Sequence, residues 1–151
     1  MSGGVHAARM NLRILGLALV FLFSGCASPA IKNPTAGNLQ LRNPSGQVVL
    51  TAEFEFPQEP LTPGKNFVGR WRPLEVASGV PTPWQLDADG WAKYHAEIAS
   101  ENMSVDLSFG SADNNVYLLG PETNSQFQGE WVYTTLTGSK TLGAFTLHAE
   151  P

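Results

Sequence analysis

Very few residues of this chain have types and spacings that could do chemistry. His95 alternates with Lys93 and Glu97, which places it on the polar side of its segment, and His148 lies close to the C-terminal end. A catalytic histidine needs a nucleophile or a carboxylate within hydrogen-bond reach, which one sequence does not show, and we expect His95 on a solvated face. An enzyme would require His95, Asp106 or Glu97 to converge in one pocket. Because nucleophile-elbow, P-loop and dinucleotide motifs are also absent, we predict that the protein is not an enzyme.

The acidic pairs predict structure rather than chemistry. Glu53 and Glu55 alternate with apolar residues, so we expect both on an outward face, whereas glycosidase chemistry would need them inside a cleft. Asp87-Ala88-Asp89-Gly90 resembles the start of a calcium loop but lacks the distal bidentate glutamate, and Asp-Gly is typical of a hairpin turn. The chain has one cysteine, which excludes an internal disulfide and a multi-cysteine zinc site. We therefore predict no metal and no cofactor.

Composition limits the class of protein further. The chain has 151 residues, of which 42% are hydrophobic and 15% are charged. This length corresponds to about one domain, and this composition allows a packed core.

The first 25 residues predict an export signal. Arg9 and Arg13 precede ten residues without a polar group, from Ile14 to Phe23. A membrane-spanning helix needs about 20 apolar residues, so a positive flank and a short apolar run indicate a secretory signal. The start is either Met1 or Met10.

The end of this segment carries a more specific pattern around the single cysteine. The run Leu22-Phe23-Ser24-Gly25-Cys26-Ala27-Ser28 resembles the lipobox of bacterial lipoproteins, with Phe23 where the family usually has leucine. The resemblance implies cleavage before Cys26, lipid on that cysteine, and retention at the outer membrane because Ala27 follows. Two or more acyl chains give stable membrane anchoring. We expect a lipid-anchored protein on the periplasmic face of the outer membrane.

Cleavage changes the charge balance of the chain. Without Arg9 and Arg13, seven bases remain against 13 acids, a net charge of −6. Binding to nucleic acid depends on basic surface that neutralises phosphates, so no nucleic-acid partner is predicted.

The mature chain divides into a tether and an all-β domain. Residues 26–37 contain two prolines and no periodicity, which is typical of a linker. Residues 38–151 alternate short period-two runs with turn signals, which predicts eight or nine antiparallel strands. One predicted hairpin joins a strand at Trp84–Leu86 to a strand from Trp91 to Ile98, and another strand covers Met103 to Phe109. A closed β-barrel is favoured over a two-sheet sandwich because closure removes exposed edges.

One pattern occurs twice within this domain. Phe67-Val68-Gly69-Arg70-Trp71 is echoed by Phe127-Gln128-Gly129-Glu130-Trp131, sixty positions later. In a strand the Phe, Gly and Trp of each copy share one face, and glycine leaves room beside a large ring. The first copy resembles the opening strand of calycins, the lipocalin and fatty-acid-binding family. That resemblance implies a barrel with an apolar cavity.

Five aromatic residues are the candidate ligand-binding residues: Phe67, Trp71, Tyr94, Phe127 and Trp131. They either line a pocket for an apolar small molecule or fill the core, because an eight-stranded barrel can be filled by its own side chains. We expect a non-catalytic binding module for an apolar ligand or an envelope partner. The alternative is a structural or hydrolase-inhibitory lipoprotein with a solid core, whose acidic character suits a basic partner.

Overall fold

The computed structural model describes residues 35–58, 62–99, 102–123 and 126–150. Internal contacts divide the chain into Met1–Ala30 and Ile31–Pro151, and every described residue belongs to the second unit. The predicted signal, Cys26 and most of the predicted tether therefore lie outside the described residues.

Eight antiparallel strands form a closed barrel in which each strand pairs with its neighbours in sequence and β1 pairs with β8. This confirms the predicted all-β barrel and excludes the two-sheet sandwich. The strands are β1 (Ala36–Arg42), β2 (Val48–Glu55), β3 (Asn66–Val76), β4 (Ala92–Ala99), β5 (Asn102–Asp106), β6 (Asn114–Thr123), β7 (Gln126–Thr135) and β8 (Gly138–Glu150).

The alternation of apolar and polar residues produces the inside and the outside of the barrel. In β4, Tyr94 and Ala96 are buried, whereas Lys93 and Glu97 are exposed. The same period of two runs along β2 and β5. Because successive side chains of a strand point to opposite faces, each strand contributes one row to a common core.

Two predicted strand segments differ from the structure. Trp84–Leu86, predicted as a strand, belongs to the loop between β3 and β4, so the barrel has eight strands and not nine. Pro81 and Pro83 lead into this segment, and a proline cannot donate a ladder hydrogen bond. The strand predicted for Met103 to Phe109 ends at Asp106 because that side chain accepts a hydrogen bond from the backbone N–H of Ser108 (2.9 Å) and starts a turn.

The up-and-down order of the strands gives the barrel two distinct ends. β1 enters at the end that we call proximal, where the β2–β3 connection also lies. The opposite, distal end carries the connections 43–47, 77–91, 107–113 and 136–137. The first strand begins at Ala36, slightly earlier than the predicted domain start at Asn38.

Candidate functional site

All five candidate aromatic residues belong to the barrel core. Trp71, Tyr94, Phe127 and Trp131 are buried, and Phe67 is half-buried and packs against the same cluster. They come from β3, β4 and β7, and their alternation with exposed residues directs them inward.

The rings of β3 and β4 form one group around Phe54 of β2. The centroid of Phe54 lies 4.9 Å from that of Tyr94 and 6.2 Å from that of Trp71. Phe67 meets Tyr94 edge-on, with centroids 6.3 Å apart. Aromatic pairs at these separations contribute about 0.5–1.5 kcal/mol beyond their buried area. Phe54 was not among the candidate residues, although its place on the apolar face of β2 indicates burial.

The rings of β7 pack against a different residue. Phe127 meets Phe145 of β8 edge-on at 4.6 Å. Phe145 was also missed, and its signal is the alternation of Phe145 and Leu147 with polar residues. The structure therefore distributes the candidate residues over opposite sides of the barrel.

The two glycines of the repeated pattern leave space for different neighbouring groups. A Cβ built on Gly69 would lie 2.3 Å from the ring of Tyr94, so the ring crosses β3 at the place that glycine leaves free. A Cβ on Gly129 would instead lie 2.1 Å from the backbone oxygen of Leu119. The same residue type thus admits a side chain in one copy and a close backbone approach in the other.

The polar atoms of the buried rings are bonded to backbone carbonyls. The indole Nε1 of Trp71 donates to the oxygen of Leu107 (3.1 Å), and that of Trp131 donates to the oxygen of Arg42 (2.8 Å). The hydroxyl of Tyr94 donates to the oxygen of Glu55 at 3.1 Å. Burial raises the pKa of Tyr94 far above its ordinary value, which keeps the phenol neutral. All three donors therefore already have hydrogen-bond acceptors within the barrel.

The residues considered for catalysis lie on the outer surface. His95 faces Asp106 across β4 and β5, and its ring stacks on Phe109 with centroids 5.7 Å apart. Asp106 accepts hydrogen bonds from Asn115 Nδ2 and from the Ser108 N–H, both at 2.9 Å. Partial burial, followed by the charge of Asp106, raises the pKa of Tyr117. Through its two hydrogen bonds, Asp106 stabilises the turn that follows β5.

The two histidines are not brought together. His95 lies on β4, whereas His148 lies on β8 between Asn38 of β1 and Gln126 of β7. β4 and β8 are four strands apart in a ring of eight, which is the greatest separation that this barrel allows. Across the described ranges, no group of three or more His, Cys, Asp or Glu side chains is arranged to hold a metal ion.

The acids weighed as a glycosidase pair lie on the outer surface, where each contacts an arginine. Glu55 accepts from Arg70 (2.6 Å) and Glu53 from Arg72 (2.5 Å), and all four side chains are partly exposed. Both guanidinium groups lie about 5 Å from the centroid of the Trp91 ring. Exposed ion pairs contribute about 0–1 kcal/mol to the free energy of unfolding. These two ion pairs therefore belong to a solvated outer face of β2 and β3 and add little stability.

A shallow crevice opens at the distal end. It measures about 280 Å³ and lies between the β1–β2 turn, the segment 78–81 and β8. The lining includes Val49, Val80, Trp131 and Leu142. Its size is near the lower limit of ordinary small-molecule pockets, which is about 300 Å³.

Comparison of the chain with protein-family models, curated proteins and solved structures finds no match. Within the described part of the chain, no helix is long and apolar enough to cross a membrane.

Proposed function

We propose that the protein is a lipid-anchored module on the periplasmic face of the outer membrane that binds an envelope partner through its outer surface, without catalysis. The anchor is supported by the lipobox-like residues around Cys26. Lipid on this cysteine would tether the barrel to the membrane surface.

The packing of the core is the observation that favours an outer-surface partner over an enclosed ligand. Trp71 and Tyr94 contact Phe54, while Phe127 contacts Phe145, so protein rings occupy the space that a ligand would need. The donors of Trp71, Trp131 and Tyr94 already have backbone acceptors. A ligand that occupied the positions of these rings would have to displace these contacts.

An apolar small molecule is the second candidate, and the distal crevice favours it. The crevice is lined by apolar side chains of β2, of the connection 77–91 and of β8, beside Trp131. This version retains the binding role that the calycin resemblance implies but moves the ligand from the interior to the distal end.

Native mass spectrometry of the protein extracted from its own membranes tests the proposal. We expect a chain that begins at Cys26 and carries covalent lipid, together with a complex that contains a second envelope protein. The Cys26→Ser variant serves as the control and should be found in the soluble fraction, because it lacks the acylated sulfur.

Three results would contradict the proposal. Continued membrane association of the Cys26→Ser variant would contradict the proposal that lipid on Cys26 anchors the protein. A bound apolar small molecule at one copy per chain would favour the second candidate. A lipidated protein that carries neither partner nor ligand would leave only a structural role.

A further inference from the structure

Two distal connections lie side by side over Trp71. Trp84, in the connection 77–91, meets the Trp71 ring edge-on with centroids 4.8 Å apart. The indole of Trp71 donates to the oxygen of Leu107, in the connection 107–113. One buried side chain therefore holds both connections against the distal end of the barrel.

Each connection is ordered by its own hydrogen bonds. The Oδ1 atom of Asp87 accepts from the N–H groups of Asp89 (3.0 Å) and Trp91 (2.9 Å). In the other connection, Ser108 Oγ accepts from the N–H of Val116, and the Ser108 carbonyl accepts from the N–H of Ser111. A surface that is ordered before binding loses less conformational entropy when a partner docks.

Each ordered connection presents a large apolar side chain to solvent. Leu86 is 50% exposed and Phe109 is 48% exposed. Aromatic side chains are enriched in the cores of protein interfaces, and an aromatic or aliphatic side chain can act as an anchor when it enters a pocket of the partner.

The charges of the two connections have one sign. Asp87, Asp89 and Asp113 are exposed, and neither 77–91 nor 107–113 contains a lysine or arginine. Two nearby cations, Arg70 and Arg72, are already paired with Glu55 and Glu53, and the exposed Lys93 lies outside these connections, on β4. A negative surface repels nucleic acids and anionic lipid headgroups, and it attracts basic proteins.

We infer that Leu86, Asp87, Asp89, Phe109 and Asp113 form a docking surface, which we call the distal acidic face, for a protein with an apolar recess surrounded by lysine and arginine. Leu86 and Phe109 enter the recess, and the aspartates face the basic rim. This inference deepens the proposed function by naming the surface and the chemistry of the partner.

The distal acidic face lies at one end of the barrel only. The first strand starts at the proximal end, whereas the distal acidic face lies at the opposite end. A partner that docks there would therefore contact connections and not the start of β1.

Site-specific photocrosslinking in the native host tests the surface. A benzophenone amino acid replaces Leu86 or Phe109 in the full-length protein, and Leu119 serves as the matched control. Leu119 is 42% exposed and borders a separate groove of about 410 Å³ on β4–β6. We expect one basic protein to crosslink at positions 86 and 109 and not at 119.

Binding of the purified partner then measures the contribution of each group. Phe109→Ser is expected to weaken binding by at least about tenfold, the effect of losing one interface anchor. Asp89→Asn combined with Asp113→Asn is expected to slow association and to reduce its dependence on salt. Leu119→Ser and Glu97→Gln are the matched controls and should bind as the unmodified protein does.

The outcomes separate the surface from the proposed function. A partner that crosslinks only at position 119 overturns the distal acidic face but leaves the binding module intact. An acidic partner at positions 86 and 109 overturns the charge argument. The absence of adducts at all three positions overturns the surface, and if native mass spectrometry also finds no partner, the proposed function fails with it.

Discussion

Gly69 and Tyr94 face each other on β3 and β4, and the ring of one occupies the space that a side chain would need on the other. Tyr94 also reaches Phe54 on its far side and donates to the carbonyl of Glu55. A single glycine thereby permits the central contact among three neighbouring strands.

We predict that Gly69→Ala destabilises the fold. The added Cβ would lie 2.3 Å from the Tyr94 ring, and inserting a methyl group into a packed core costs about 1–3 kcal/mol. Urea denaturation followed by tryptophan fluorescence measures the loss. Val68→Ala, at the adjacent and exposed position, is the control and should change the free energy of unfolding much less. Equal effects for the two variants would contradict the close packing of Tyr94 against β3.

The raised pKa of Tyr94 predicts a dependence of stability on alkaline pH. The unfolded chain loses this phenol's proton near about pH 10, whereas the folded chain retains it. Below about pH 10, ionisation of Tyr94 does not reduce the stability of the fold. Above about pH 10, only the unfolded chain loses this proton, so the free energy of unfolding falls by about 1.4 kcal/mol per pH unit. Urea titrations from pH 8 to pH 11 are expected to show a flatter decline for Tyr94→Phe than for the unmodified protein. Parallel declines would disprove the assignment.

At this scale, the sequence predicted which residues are large and inward but not what they contact. Burial of Trp71, Tyr94, Phe127 and Trp131 follows from their alternation with polar residues. That Phe127 packs on Phe145 depends on the register between β7 and β8, which a single sequence does not encode locally.

β3 and β7 carry the repeated pattern and occupy opposite positions in the ring of strands. In both, the tryptophan lies toward the distal end and its indole donates to a backbone oxygen there. Each glycine pairs in register with an aromatic residue of the following strand, Tyr94 for Gly69 and Phe145 for Gly129. The pattern thus fixes strand ends as well as filling the core.

We predict similar costs for Trp71→Phe and Trp131→Phe. Each change removes the donor to a distal carbonyl, and leaving such a group unpaired in a buried place costs about 1–3 kcal/mol. Chemical denaturation of both variants measures the effect. The control is Trp91→Phe on the outer face, where the contacts with Arg70 and Arg72 are worth about 0.5–1 kcal/mol each. If Trp71→Phe and Trp131→Phe lose no more stability than Trp91→Phe, the hydrogen bonds of the two buried indoles do not stabilise the barrel.

At the level of the elements, the alternation of apolar and polar residues was sufficient to predict most of the strands. The alternation in β2, β4 and β5 predicted their buried faces, and turn residues predicted most connections. The prediction of a strand at Trp84–Leu86 was wrong because Trp84 packs on the core without strand pairing, while Leu86 is exposed. Trp84 covers Trp71 from a loop, and alternation over three residues cannot distinguish a strand from a loop that packs on the core.

Over the whole molecule, closure of the barrel and packing of its interior belong together. Eight strands enclose a space that side chains can fill, and aromatic contacts occur on both sides of it. A closed barrel of eight or nine antiparallel strands was predicted from the sequence, whereas the filling of the interior depends on how rings from distant strands meet.

We predict no saturable binding of a fluorescent fatty-acid analogue inside the barrel. The probe should give no stoichiometric signal with the unmodified protein because core rings would have to be displaced. A Trp71→Ala variant, which opens space in the core, is the comparison and is expected to bind the probe if it folds. Stoichiometric binding by the unmodified protein, insensitive to a bulky Val49→Trp change in the distal crevice, would show that the interior is accessible.

The pairing of β1 with β8 has a consequence for how the molecule forms. Every other strand pair joins neighbours in sequence, whereas Ala36 pairs with Glu150, near the other end of the chain. Contacts between distant residues carry the largest loop-closure entropy, so this seam is expected to be late in folding. The ring can close only after β8 has been synthesised. Until β8 pairs with β1, the sheet keeps two open edges, and the pairing of these two strands is the step that removes them.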